Sequence, residues 1–137
     1  MKSLLAALAL VLLASTGAHA AWPEKPLRVI VPFSQGGSTT DSVTRAIAPK
    51  LAEALGQPVL ADNRPGAGGN VGSEIVARAA PDGYTLLAAT AGPQTIAPSL
   101  YPRLGYDTLR DLAPVTLMAI VPSVIVVHPS IPANNLS

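Results

Sequence analysis

Short apolar runs alternate with stretches of helical periodicity along residues 27–100, an order that favours a parallel sheet built from strand–helix–strand units. Leu27-Arg28-Val29-Ile30-Val31 is predicted as the first strand, ended by Pro32. The loop from Ser34 to Thr39 leads into a helix over Thr40–Leu55, where Val43, Ile47, Leu51 and Leu55 recur every four residues as a buried stripe. Gly56 is the expected stop. Pro49 falls inside this helix and removes a backbone donor, so a kink is expected on the wet face it shares with Ser42, Arg45 and Glu53.

Val59-Leu60-Ala61 is the predicted second strand, and Asn63 to Gly69 is a loop by composition. A second helix is expected over Val71–Ala80, with Val71, Ile75, Val76, Ala79 and Ala80 inward and a Glu74–Arg78 pair outward. Pro81-Asp82-Gly83 is a turn, Tyr84 to Ala89 the third strand, and Thr90 to Pro93 its loop. A short helical piece near Thr95–Leu100 precedes two β-branched runs, Val115–Val121 and Ser123–Val127, and a turn-rich tail from Pro129.

Residues 1–20 have the three parts of a cleavable export signal: Lys2, the apolar stretch Leu4–Ala14, and the small-x-small site Ala18-His19-Ala20. A membrane anchor would need roughly 20 apolar residues, and Ser15, Thr16, Gly17 and His19 interrupt this stretch first. Cleavage after Ala20 and residence in the periplasm are the expectation. Losing Lys2 with the signal leaves eight basic against eight acidic side chains, spread singly, which argues against a nucleic-acid partner. With no cysteine there is neither a disulfide nor a lipid anchor, and stability must come from an apolar core.

Chemistry in an open α/β sheet gathers at the carboxyl ends of the strands. The first such loop, Phe33-Ser34-Gln35-Gly36-Gly37-Ser38-Thr39-Thr40-Asp41, sets two glycines and three hydroxyls just before a helix start, where free N–H groups favour an anion. Plain helix capping by Ser38, Thr39 or Thr40, with Asp41 complementing the dipole, reads the same residues equally well. The second loop carries Gly66, Gly68, Gly69 and Gly72 and could form a backbone nest. It fails the dinucleotide fingerprint, because Val71 stands three residues past Gly68. There is no phosphate-loop G-x-x-x-x-G-K, no nucleophile elbow and no metal-ligand spacing. His128 has no partner motif nearby. Neutral polar loops rich in backbone donors suit holding a small anion and releasing it unchanged.

Several linked motifs now converge. Trp22-Pro23-x-Lys25-Pro26, Val31-Pro32-Phe33-x-x-Gly36-Gly37-x-x-x-Asp41, Leu55-Gly56-Gln57-Pro58-Val59, Asn63-Arg64-Pro65-Gly66-Ala67-Gly68-Gly69-Asn70-x-Gly72 and Pro81-Asp82-Gly83-Tyr84-Thr85-Leu86 closely resemble the substrate-binding proteins of tripartite tricarboxylate transporters, the Bug family of periplasmic solute receptors. Asp107–Val115 and Pro129-Ser130-Ile131-Pro132-Ala133 fit as well. The resemblance implies a type II periplasmic-binding-protein-like α/β fold whose two lobes close on a small carboxylate, without a cofactor. It also implies a membrane permease as partner and a monomer at full length. Residue by residue, Phe33, Gly36, Gly37, Ser38, Thr39 and Asp41, with Ala67 and Gly68, would hold one carboxylate, and Thr90 would line the same cleft.

Ala97-Pro98 departs from the Asn-Pro of many relatives. Family members are about twice as long, as two lobes, so the expected division is a signal over 1–20, lobe 1 over 21–120, and the crossover and start of an incomplete lobe 2 over 121–137. On that expectation the sequence is a truncated or partial reading frame that supplies half a cleft. Two other classes stay open: a periplasmic α/β enzyme for a nucleotide or phosphate, and a carboxylate-sensing signalling module.

Overall fold

The structure, a computed structural model, describes residues 22–131; the export signal and the end of the tail lie outside them. Strand β1 (Leu27–Val31) is followed by helix α1 (Thr39–Leu55), β2 (Val59–Asn63), a 3-10 turn over Ala67–Gly69, α2 (Asn70–Ala77) and β3 (Thr85–Leu87). A π-helical turn, Gly92–Ile96, runs into α3 (Ala97–Leu100), and α4 (Thr108–Asp111) is the last regular element. The three strands form one parallel sheet in the order β2-β1-β3, with Val29 opposite both Ala61 and Leu86.

The central strand holds the core. Val29, Val31 and Ala88 are buried, and Val59, Ala61 and Leu86 from the flanking strands pack against them. Leu27, Ile30 and Val31 are each less than 2% exposed. Burial of such side chains contributes about 1.5–3 kcal/mol each, which makes β1 the main source of the sheet's stability.

Helix α1 begins where its capping residues dictate. Ser38 is extended, its Oγ accepts the Asp41 N–H at 3.1 Å, and the helix ends on a left-handed Gly56. Val43, Ile47, Leu51 and Leu55 are half-buried on the stripe the spacing predicts, and Pro49 is exposed. Arg78 pairs with Glu74 as expected. At the opposite end of the sheet the motifs around Trp22 and Gly83 meet. The Trp22 and Tyr84 rings lie 5.9 Å apart, and Lys25 Nζ sits 4.3 Å above the Tyr84 ring and 3.3 Å from Asp82.

Four expectations need correction. Strand β2 runs two residues past Ala61, because the Asp62 and Asn63 side chains find partners on neighbouring strands and loops. Helix α2 spans Asn70–Ala77 and buries Gly72 and Ser73, whereas Val71 is 41% exposed. Its contact face is set by a close approach: a methyl group on Gly72 would lie 2.7 Å from Pro32 Cβ. Strand β3 is shorter than Tyr84–Ala89, and helical structure begins earlier than Thr95. The β-branched runs within 115–127 form no strand, and Val115, Ile120, Val124, Ile125 and Val126 are largely exposed. A strand needs a neighbour to take its ladder bonds, and none of the described elements offers that run one.

Candidate functional site

Parallel pairing puts the carboxyl ends of all three strands at one edge of the sheet, and the three loops leave from there. Val31 lies opposite Asn63, the Arg64 N–H bonds the Val31 carbonyl at 2.8 Å, and the Ala88 N–H bonds that of Ile30 at 2.9 Å. The loops then converge on Gly69. A methyl group at Gly69 would lie 2.7 Å from Pro93 Cγ of the third loop and 3.5 Å from Phe33 Cζ and Pro32 Cβ of the first. Gly69 also has φ +101°, so only a residue without Cβ fits this junction.

The first loop is tied down by a buried carboxylate. Asp41, 2% exposed, accepts the Gly36 N–H at 2.8 Å, the Arg45 Nε–H at 3.1 and 3.0 Å, and the Asn63 amide at 2.8 Å. The hydrogen bond from Arg45, then those from Gly36 and Asn63, lower its pKa from an ordinary 3.8 to about 2 against the opposing effect of burial. Asn63 also donates to the Phe33 carbonyl at 2.9 Å and accepts from Arg45 at 2.6 Å. The network therefore joins the loop, α1 and the end of β2. Asp62, next along the chain, points to the other face of the sheet. Burial opposes its ionisation, but hydrogen bonds from Arg64 and Arg28 outweigh that and hold its pKa below the usual range.

With Asp41 engaged internally, the polar groups left at the edge are neutral. Among the described residues no acceptor takes the N–H of Ser38, Thr39 or Thr40 at the start of α1, or of Ala67 or Gly68 in the second loop. Gly36, Gly37, Thr39, Ala67 and Gly68 are exposed, Phe33 and Ser38 half-buried. Ala67, Gly68 and Gly69 all have positive φ, so their backbone forms a concave turn ahead of α2. Thr90 follows β3, and its Oγ1 is buried without a partner. Every residue the sequence singled out for the cleft thus lies on these three loops or at a helix start beside them.

The third loop is braced from behind. The Tyr106 hydroxyl reaches the Pro93 carbonyl at 2.7 Å and Asn70 Oδ1 at 3.0 Å, and Gln94 donates to Ser73 Oγ at 2.8 Å. Asn63 and Tyr106 are the two supports that sequence reasoning missed. Asn63 had a signal, as the first residue of the motif ending at Gly72, whereas nothing local marks Tyr106. His128 lies apart in a turn closed by its own contact with Ser130, Nδ1 to Oγ 2.8 Å.

Residues 43–137 match the tripartite tricarboxylate transporter family receptor. The chain belongs to that family. Among the receptor family's curated members, it is 44% identical over 129 residues to a UPF0065 protein of Bordetella pertussis, covering 92% of this chain and 39% of that protein. It is 43% identical over 116 residues to the protein BugT of the same organism, covering 84% and 35%. The chain therefore spans about two fifths or less of the length of these relatives. MatC from Rhodopseudomonas palustris, solved with bound malate, superposes with a TM-score of 0.67 at 42% identity over 71% of this chain and 33% of that one. An R. palustris protein solved with adipate superposes with a TM-score of 0.57 at 38% identity over 64% and 29%.

Proposed function

We propose that this chain forms one wall of a periplasmic receptor that binds a small carboxylate and passes it to a membrane permease. The carrying observation is the cluster of unpaired N–H groups at the start of α1 and in the Ala67–Gly68 turn, set side by side by the parallel sheet. The N-terminal end of a seventeen-residue helix adds the positive end of its dipole, and the Ser38 and Thr39 hydroxyls lie beside it. One carboxylate of the ligand is held there by Ser38, Thr39, Ala67 and Gly68, with Phe33 and the buried Thr90 hydroxyl lining the same cleft, while Gly36 and Gly37, whose own N–H groups bond Asp41 and the Ser34 carbonyl, shape the turn beside it. Asp41 shapes the loop from below.

Binding without turnover fits the chemistry of these groups. The one carboxylate in the loops is held ionised to about pH 2 by its neighbours, too acidic for a general base near neutrality. The family relatives solved with malate and with adipate support a small dicarboxylate over a nucleotide. Export to the periplasm with cleavage after Ala20, lobe 1 over 21–120, and the crossover into a second lobe from 121 belong to the same reading.

Receptors of this type enclose ligand between two lobes, and the chain spans about two fifths of its relatives. Calorimetry with malate, adipate and inorganic phosphate on the 137-residue chain and on a chimera completed with a relative's remaining length tests the proposal. The chimera is expected to bind a carboxylate and the shorter chain at least about a hundredfold more weakly, since one wall buries only part of the ligand. Equal affinity for both forms would overturn the one-wall reading. Phosphate preferred over every carboxylate would overturn the receptor reading.

A further inference from the structure

We propose that Asn63 is a positioning residue for the anion loop: its amide, wedged between the Phe33 carbonyl and the Asp41 carboxylate, sets where the first loop presents its N–H groups. This rests on the receptor reading above and adds to it a determinant outside the loop.

The geometry leaves the amide one orientation. Nδ2 donates to Phe33 O at 2.9 Å and to Asp41 Oδ1 at 2.8 Å, while Oδ1 accepts from the Arg45 guanidinium at 2.6 Å. Turning the amide over would set its oxygen against two acceptors and its NH2 against a cation. Both bonds from Nδ2 end on the loop frame. Phe33 is the loop's first residue, and Asp41 holds the Gly36 N–H at 2.8 Å. Asn63 stands at the end of β2 opposite Val31, so its own place is fixed by the sheet ladder and not by the loop. The rigid strand thereby dictates the position of the glycine turn. Fixing the donors before ligand arrives reduces the ordering cost of binding, which raises affinity without any contact between Asn63 and ligand.

Asparagine is the side chain that does this. Aspartate keeps the shape and can still accept from Arg45, but it faces Phe33 O and Asp41 with an acceptor where a donor is needed. Two carboxylates at that spacing share a proton as pH falls, and the shared proton restores the bond to Asp41, one of the two that the amide donates. The charged groups around the position are Asp41 and Arg45 from α1, while Arg28 and Arg64 both pair with Asp62 on the other face of the sheet.

The experiment compares the chimera of relatives' length as wild type, Asn63→Asp and Asn63→Leu. Malate affinity is measured at about pH 7 and about pH 5, each variant referred to wild type at the same pH. Hydrogen exchange at the Gly36 amide is followed on the 137-residue chain without ligand. Both variants are expected to lose about tenfold or more in affinity at the higher pH, the factor that one unpaired buried polar group brings. Asn63→Asp recovers part of that loss at the lower pH and Asn63→Leu none. Gly36 exchange quickens in both, again with recovery by Asn63→Asp alone. A purely structural role predicts an equal, pH-independent deficit in the two variants, and that outcome, or unchanged Gly36 exchange, overturns the proposal. Failure of wild type to bind malate counts against the receptor reading, while the exchange data still decide the role of Asn63.

Discussion

The two loops that would meet an anion are built by opposite means. The first is held by side chains, through a buried carboxylate, a guanidinium and an amide that together fix Gly36 and the Phe33 carbonyl. The second is held by backbone shape, with no charged side chain: four successive residues at positive φ, no side-chain cap, and a glycine fitted against Pro93 and Phe33, its carbonyl taking one bond from Ser73 Oγ at 3.1 Å. A loop held by charge is sensitive to acid and to loss of one partner. A loop held by shape is sensitive to a single added carbon and indifferent to pH.

The sharpest way to break the contrast is Gly69→Ala. The new methyl would overlap the Pro93 ring at a φ of +101°, and steric overlap plus backbone strain should cost about 3 kcal/mol. Chemical denaturation of variant and parent gives the number. Asp41→Asn comes next. It leaves Arg45 without its ion partner and turns an amide donor toward the Gly36 N–H, so the thermal midpoint should fall by roughly 5–10 °C. Tyr106→Phe removes the hydroxyl that reaches the third loop and α2, a buried hydrogen-bonding group worth about 1–2 kcal/mol. Gly68→Ala should be the mildest, about 1 kcal/mol for a left-handed alanine, because nothing lies within 4 Å of the added carbon.

Acid separates the loops without mutation. Asp41 is depressed in the folded chain, to about 2 from an ordinary 3.8. Its stabilising effect is therefore complete above roughly pH 5 and is lost as pH falls through its unfolded value toward its folded one. Amide exchange recorded from pH 5 down to pH 2, corrected for intrinsic rates, should show the Gly36 N–H losing protection first. The Gly69 N–H, bonded to the Gly66 carbonyl at 2.9 Å, should keep its own until the sheet unfolds. Simultaneous loss at both amides would mean that the loops do not differ in the way described.

What the sequence disclosed and what it concealed follow the same division between local and distant causes. Strand β1 and helix α1 were legible because each carries its own signals: an apolar run ended by proline, and a serine cap, a four-residue stripe and a terminal glycine. The buried face of α2 was not, because it is chosen by Pro32, forty residues away from Gly72, and an apolar count on the helix alone selects Val71. Asn63 reads as a turn residue by type, and its task depends on Asp41 and Phe33 arriving beside it. The run over 115–127 has strand composition without a described partner strand, and propensity by itself does not form a ladder. The loops proposed for the ligand were visible from their glycines and hydroxyls, whereas the division of labour between them was not.

Where a carboxylate touches the chain decides between these loops and the rest of the surface. A titration of the isotopically labelled 137-residue chain with malate, followed by amide chemical shifts, reads this even when binding is weak. The prediction is a saturable shift confined to the N–H groups of Ser38, Thr39, Thr40, Ala67 and Gly68, with Arg28 and Arg64 unmoved. Shifts centred on the Arg28–Asp62–Arg64 group, or none at the start of α1, would contradict it.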